Sequence, residues 1–170
     1  MNLSKIPSGT RVFIDSNILL YVFFSHPEYG KSCYDFMKKI EDGDIFGFVD
    51  EFVLNEVLHK LMITAIVNRF HCAPHEAIAI VKHSPSILAD LPHLWEASDL
   101  LQRIDVTCIP GPLFPKSLAI SREWNLFATD AVHVAAMKKE QISCIATNDA
   151  DFSRISFLQL FRPVPTDAPA

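Results

Sequence analysis

The sequence has no CxxC pair, no apolar run long enough to cross a membrane as a helix, no glycine in the turn after its first candidate strand and no surplus of positive charge. Each absence removes a class of protein. The four cysteines, Cys33, Cys72, Cys108 and Cys144, stand far apart, so they are expected to be small buried apolar residues in a reducing compartment rather than a disulfide or zinc framework. His71-Cys72-Ala73-Pro74-His75 has no partner pair at zinc spacing and is expected to be a polar helix entry. The most apolar helical stretch, 52–67, is broken by Asn55, Glu56, His59 and Lys60, so it falls short of the ~18 uninterrupted apolar residues that span a bilayer. Met1 to Thr10 carries a lysine with no apolar stretch after it; no secretory signal is expected, and the chain is placed in the cytoplasm, away from membranes. Asp15-Ser16-Asn17 lacks the glycines of a dinucleotide-binding turn. A formal net charge of −5 excludes a generally basic nucleic-acid binder, although phosphate affinity depends on where individual cations sit.

What is present is ample apolar material: 49% of 170 residues, enough for one core. Apolar, β-branched runs at 11–15, 45–49, 105–110, 142–147 and 157–161 predict strands, the first central and the last at an edge because Pro163 and Pro165 follow it. Pro110-Gly111-Pro112 closes the third. Between them lie helical patterns at 18–24, 28–41, from Asp50 onward, 74–83, 92–104, 115–124 and from Ala128, with Asp50 placed to cap the helix beside it. Tyr34, Met37 and Ile40, then Leu94, Ala97, Leu100, Leu101 and Ile104, then Leu118 and Ile120, are expected on inward faces. This alternation predicts an α/β fold: a doubly wound, mainly parallel sheet flanked by helices, with an extra helical section between the second and third strands. One domain over 1–162 and a disordered Pro-rich tail over 163–170 are expected.

In open parallel sheets the working crevice lies beyond the carboxyl ends of the strands. Asp15 and Asp149 stand at such ends, Asp130 opens an apolar helix that precedes the fourth strand, and Glu56 lies near the second turn of the helix after the second strand. Taken alone, Asp130 reads as a helix cap and Glu56 as half of a surface ion pair with Lys60. Together, acids from separated segments repel one another unless they are protonated or hold a cation. Carboxylate oxygens suit Mg²⁺ or Mn²⁺, and such a site predicts phosphodiester hydrolysis.

The strings Phe13-Ile14-Asp15-Ser16-Asn17-Ile18-Leu19-Leu20-Tyr21, Asn55-Glu56-Val57, Ala128-Thr129-Asp130-Ala131-Val132-His133-Val134-Ala135 and Ala146-Thr147-Asn148-Asp149-Ala150-Asp151-Phe152 resemble, in order, the signatures of PIN-domain nucleases. Among prokaryotes that family includes the VapC-type ribonuclease toxins. The resemblance implies that Asp15, Glu56, Asp130 and Asp149 form the family's acidic quartet around Mg²⁺ or Mn²⁺, with Asp151 as the alternative fourth acid, and that Asn17 and Thr147 support the site. It implies an RNA substrate, a small antitoxin partner and a homodimer. Lys60, Lys116, Arg122, Lys138 and Arg154 are candidate phosphate contacts, each also readable as a solvated charge, and His133 is a candidate substrate contact or a packed, hydrogen-bonded core histidine. The stretch 68–105 exceeds what compact toxins need, so it could form an antitoxin groove or serve another substrate. A role in RNA processing and a non-cleaving scaffold stay open. An aspartyl-phosphate phosphatase would want an acid where Asn17 stands.

Overall fold

In the computed structural model, residues 1–111 and 113–166 are described. Pro112, part of the turn expected after the third strand, and 167–170 of the expected tail lie outside the described residues. The chain divides into two compact units, Met1–Leu54 with Asp105–Ala170, and Asn55–Ile104.

The first unit is built on a five-stranded parallel sheet in the order β3-β2-β1-β4-β5: β1 (Arg11–Ile14), β2 (Phe46–Asp50), β3 (Val106–Ile109), β4 (Cys144–Ala146) and β5 (Gln159–Phe161). Val12, Phe13 and Ile14 are all fully buried, as a central parallel strand covered on both faces requires. The expected strand positions hold, with ends shifted by a residue or two, and β1 is central and β5 at an edge as expected. The chain leaves β1 in one direction through β2 and β3, then returns to the other side of β1 as β4, so the switch in strand order falls between β1 and β4. Ile14 pairs with Ala146 there, and the Asp15 amide donates to the Ala146 carbonyl at 3.0 Å.

Gly47 on β2 permits a close approach. A Cβ at that position would sit 2.9 Å from Ile14, 3.0 Å from Val106 and 3.1 Å from Ile40 side-chain atoms. Gly47→Ala is therefore expected to cost about 1–3 kcal/mol by overpacking, read as a lower denaturant midpoint at unchanged slope.

Helices α1 (Ser16–Phe23), α2 (Gly30–Glu41), α6 (Phe114–Trp124) and α7 (Ala128–Lys139) complete this unit with the first turn of α3 (Glu51–Phe70). The expected inward faces are partly corrected. On α2 the buried line is Gly30, Cys33, Phe36 and Ile40, which turns Tyr34 outward at 60% exposure. On α6 Ser117 and Ile120 face in, and Leu118 is exposed; Ser117 can be buried because its hydroxyl donates to the Phe114 carbonyl at 2.8 Å. Cys33 and Cys144 are buried as expected, whereas Cys108, on the edge strand β3, is exposed and Cys72 is half-buried. The start of the expected tail is anchored: the Val164 amide donates to Ser32 Oγ at 3.2 Å and the Thr166 amide to the Glu28 carbonyl at 2.9 Å.

The second unit holds the rest of α3, α4 (Pro74–His83), a 3-10 stretch Pro85–Asp90 and α5 (Pro92–Arg103). Prolines open each of the last three, where a missing N–H costs nothing. Leu94 and Leu101 of α5, two turns apart, are buried, but Leu100 is exposed, since it is turned about 100° round the helix from Leu101. No helix among the described residues is long and apolar enough to cross a membrane.

Candidate active site

Where β1 and β4 end side by side, their next residues form a hydrogen-bonded network. Asp15 follows β1 in extended conformation as the residue before α1, and it is buried, at 7% exposure. Thr147 Oγ1 donates to Asp15 Oδ2 at 2.6 Å, and Asn17 Nδ2 donates to the same oxygen at 2.5 Å. The Asn148 amide donates to Asn17 Oδ1 at 3.1 Å, which fixes the Asn17 side chain with its amide nitrogen toward Asp15. Thr147 Oγ1 in turn accepts from the Asp149 amide at 2.9 Å and from Asn17 Nδ2 at 3.3 Å. One donor and both acceptor sites of that buried hydroxyl are thus used, and Asp15 and the loop bearing Asp149 are held in a single frame.

The loop is pinned from behind as well. Arg162, just past β5, donates to the carbonyls of Asn148 and Asp149, each at 3.3 Å. Asp149 Oδ1 accepts the Asp151 amide at 2.8 Å, whereas the Asp151 carboxylate is bound by Arg154. Asp149 and Asp151 are both half-buried.

Asp130 lies in the first turn of α7 and is half-buried. Burial raises its pKa above the usual carboxylate range; His133 opposes this, and the negative charges of Asp149, Asp15 and Asp151 push the same way as burial. Asp15 at the end of one strand and two acids of a single loop, Asp149 and Asp151, therefore act on Asp130 through space. His133, one turn on, is buried with its Nδ1 2.7 Å from Asp50 Oδ2, so it is a packed, paired histidine. Its burial disfavours the imidazolium, yet the hydrogen bond and charge of Asp50, with the charges of Asp15 and Asp130, raise its pKa overall.

The remaining candidates are more scattered. Glu56 is half-buried on α3 and Lys60 is exposed one turn further along it, both within the second unit. Lys116 and Arg122 are exposed on α6. Lys138 is engaged by Glu123 at 3.8 Å and lies over the Phe157 ring, and Arg154 is occupied by Asp151 and the Asn125 carbonyl. Among the described residues, no three His, Cys, Asp or Glu side chains close into a ready-made cation cage. Arg162 and the Asp50–His133 pair carried no motif signal, because their partners are distant in sequence.

The PIN domain family model matches residues 12–158. Ribonuclease VapC2 of Methanocaldococcus jannaschii is 30% identical over 152 residues, covering 88% of this chain and 92% of the relative. Ribonuclease VapC6 of the same organism is 23% identical over 91% of this chain and 99% of its own length. Among solved structures, VapBC2 from Rickettsia felis bound to a promoter DNA fragment superposes with a TM-score of 0.57 at 14% identity, over 90% of this chain and 98% of that one. A toxin-antitoxin complex from Klebsiella pneumoniae gives 0.53 at 15% identity, over 87% and 95%.

Proposed function

The chain belongs to the PIN domain family, and from that premise we propose that it is a metal-dependent endoribonuclease, hydrolysing RNA phosphodiester bonds as the toxin of a VapC-type pair. The supporting observation is that Asp15 and the loop bearing Asp149, framed together by Thr147 at the switch in strand order, both act on the ionisation of Asp130. Their donors are carboxylate oxygens throughout, which suits Mg²⁺ or Mn²⁺, and the mutual repulsion felt at Asp130 is what a cation relieves.

We assign Asp15, Asp130 and Asp149 as ligands, with Glu56 as the fourth acid of the catalytic set. Asp151 ranks behind Asp149 because Arg154 already neutralises its carboxylate. A hard divalent cation held by these residues supplies charge against the phosphate oxygens and makes a water proton easier to remove. The chain's own residues do the positioning. Thr147 and Asn17 both donate to one Asp15 oxygen and so orient that carboxylate, while Arg162 holds the backbone that carries Asp149. Lys116 and Arg122 on α6 and Lys60 on α3 are exposed and are the candidates for phosphate contacts.

The partners that follow from this reading are an RNA substrate, a small antitoxin protein and a second copy of the chain, all in the cytoplasm. The purified protein is expected to cut single-stranded RNA in Mn²⁺ or Mg²⁺, to stop in EDTA, and to recover when either ion is added in excess. Absence of cleavage in Mn²⁺, or equal cleavage in EDTA, would overturn the assignment. Co-purification from the native host is expected to bring down a small protein, which separates a toxin from an RNA-processing enzyme.

A further inference from the structure

Beside the acidic loop three aromatic rings meet: Tyr21 and His26 at 4.6 Å between centroids, Tyr21 and Tyr29 at 5.3 Å, and His26 stacked on Tyr29 at 5.2 Å. The Tyr21 hydroxyl accepts from Asn148 Nδ2 at 3.1 Å, and Asn148 lies between Thr147 and Asp149 in the acidic network. The rings thus adjoin the candidate site through a direct hydrogen bond. All three are half-buried, which separates them from the core aromatics Phe13, Phe36 and Phe152, each almost wholly enclosed.

The cluster is also held rigid. His26 Nδ1 accepts the amides of Glu28 and Tyr29, each at 3.2 Å, which fixes the imidazole plane and leaves its other nitrogen to carry the proton. The Gly30 amide donates to the His26 carbonyl at 2.8 Å, and a Cβ on Gly30 would stand 3.2 Å from the Ser25 backbone and 3.3 Å from the Tyr21 carbonyl, so the turn joining α1 to α2 is tight. Ser25 takes a left-handed φ of 48° to make that turn. Rings fixed in this way lose little conformational freedom when a flat ligand lies on them.

We propose that Tyr21, His26 and Tyr29 form a stacking subsite for one nucleobase of the RNA strand, next to the phosphodiester that is cut. The idea rests on the ribonuclease reading above. The Glu28 carboxylate beside Tyr29 disfavours a phosphate there, whereas a neutral π-face fits beside these rings. Single-stranded RNA is recognised through bases splayed onto aromatic side chains. Asn148 then links the base to the chemistry, since a shift of the Tyr21 ring is transmitted to the loop between Thr147 and Asp149.

The test uses the full chain in EDTA with single-stranded oligoribonucleotides that carry 2-aminopurine at successive positions. Wild-type protein is expected to quench the fluorophore at one position adjoining the cleavage point. Tyr29→Leu should weaken binding about tenfold and lose that quench, raising KM with little change in kcat once metal is added, and Tyr29→Phe should restore both. A wild-type scan with no quenched position, Tyr29→Leu behaving as wild type, or failure of Tyr29→Phe to restore would each overturn the subsite; the first needs no variant to fold. A quench without any cleavage in Mn²⁺ would instead refute the ribonuclease reading and keep a base-binding subsite. Cleavage without a quench would refute the subsite alone.

Discussion

Asp130→Asn is expected to lower RNA cleavage on the order of a thousandfold and, at the same time, to raise the melting temperature of the metal-free protein. The two effects have one source. Asp130 is half-buried, and three other acids, Asp149, Asp15 and Asp151, add their negative charges to the penalty of burial. Its position in the first turn of α7 favours a negative charge by at most about 1 kcal/mol, and His133 helps further, yet the net effect still disfavours the carboxylate. An asparagine keeps the shape and removes the repulsion, so the fold gains while the cation loses a ligand. Melting curves recorded in EDTA and cleavage assays in Mn²⁺ on the same preparation check both signs. A variant that loses activity and also melts lower would show that Asp130 supports the fold rather than waiting for a cation.

The same balance explains why this site was legible in the sequence. A parallel strand buried on both faces must be apolar along its length, so an acid immediately after it, as at Asp15, or a few residues past its end, as at Asp149, stands out. Two such strands placed side by side bring their following residues together, and the β1–β4 pairing does this for Asp15 and the 147–149 loop. Helix faces were harder to phase. Tyr34 and Leu118 sit one residue away from the buried lines, and a single small residue such as Cys33 or Ser117 is enough to take the inward place. Least legible were contacts between distant residues. Arg162 follows an edge strand with no periodic signal, and only the folded chain shows that its guanidinium reaches the Asn148 and Asp149 carbonyls. The Tyr21, His26 and Tyr29 rings fall within and just after a motif string, but their grouping depends on the turn at Ser25 and Gly30.

Asp50 shows the limit of local reading, and the largest stability change is expected at its partner. As a helix cap it behaves as its position predicts, since Oδ1 accepts the Val53 amide at 3.0 Å. Its other oxygen reaches across the sheet to His133 Nδ1 at 2.7 Å, with the two side chains 1% and 2% exposed. His133→Leu therefore leaves a buried carboxylate half satisfied, and a loss of about 3–5 kcal/mol is expected, a fall in melting temperature on the order of 10 °C. The loss should depend on pH. Burial opposes the His133 imidazolium, but the Asp50 hydrogen bond and charge, with Asp15 and Asp130, lift its folded pKa above the ordinary value. A group raised in the folded state contributes fully below its unfolded pKa of ~6.5 and loses that contribution as pH rises through the folded value. Wild-type stability should then decline as pH climbs above ~6.5, a decline that His133→Leu lacks, so the gap between the two narrows. Asp50→Asn keeps a cap for Val53 and a polar partner for His133, and should cost less while flattening the same pH dependence. Denaturant midpoints across the pH range decide the matter: a gap that stays constant, or a cost for His133→Leu below about 1 kcal/mol, would make the pair an ordinary neutral hydrogen bond rather than a buried charge pair beside the acids.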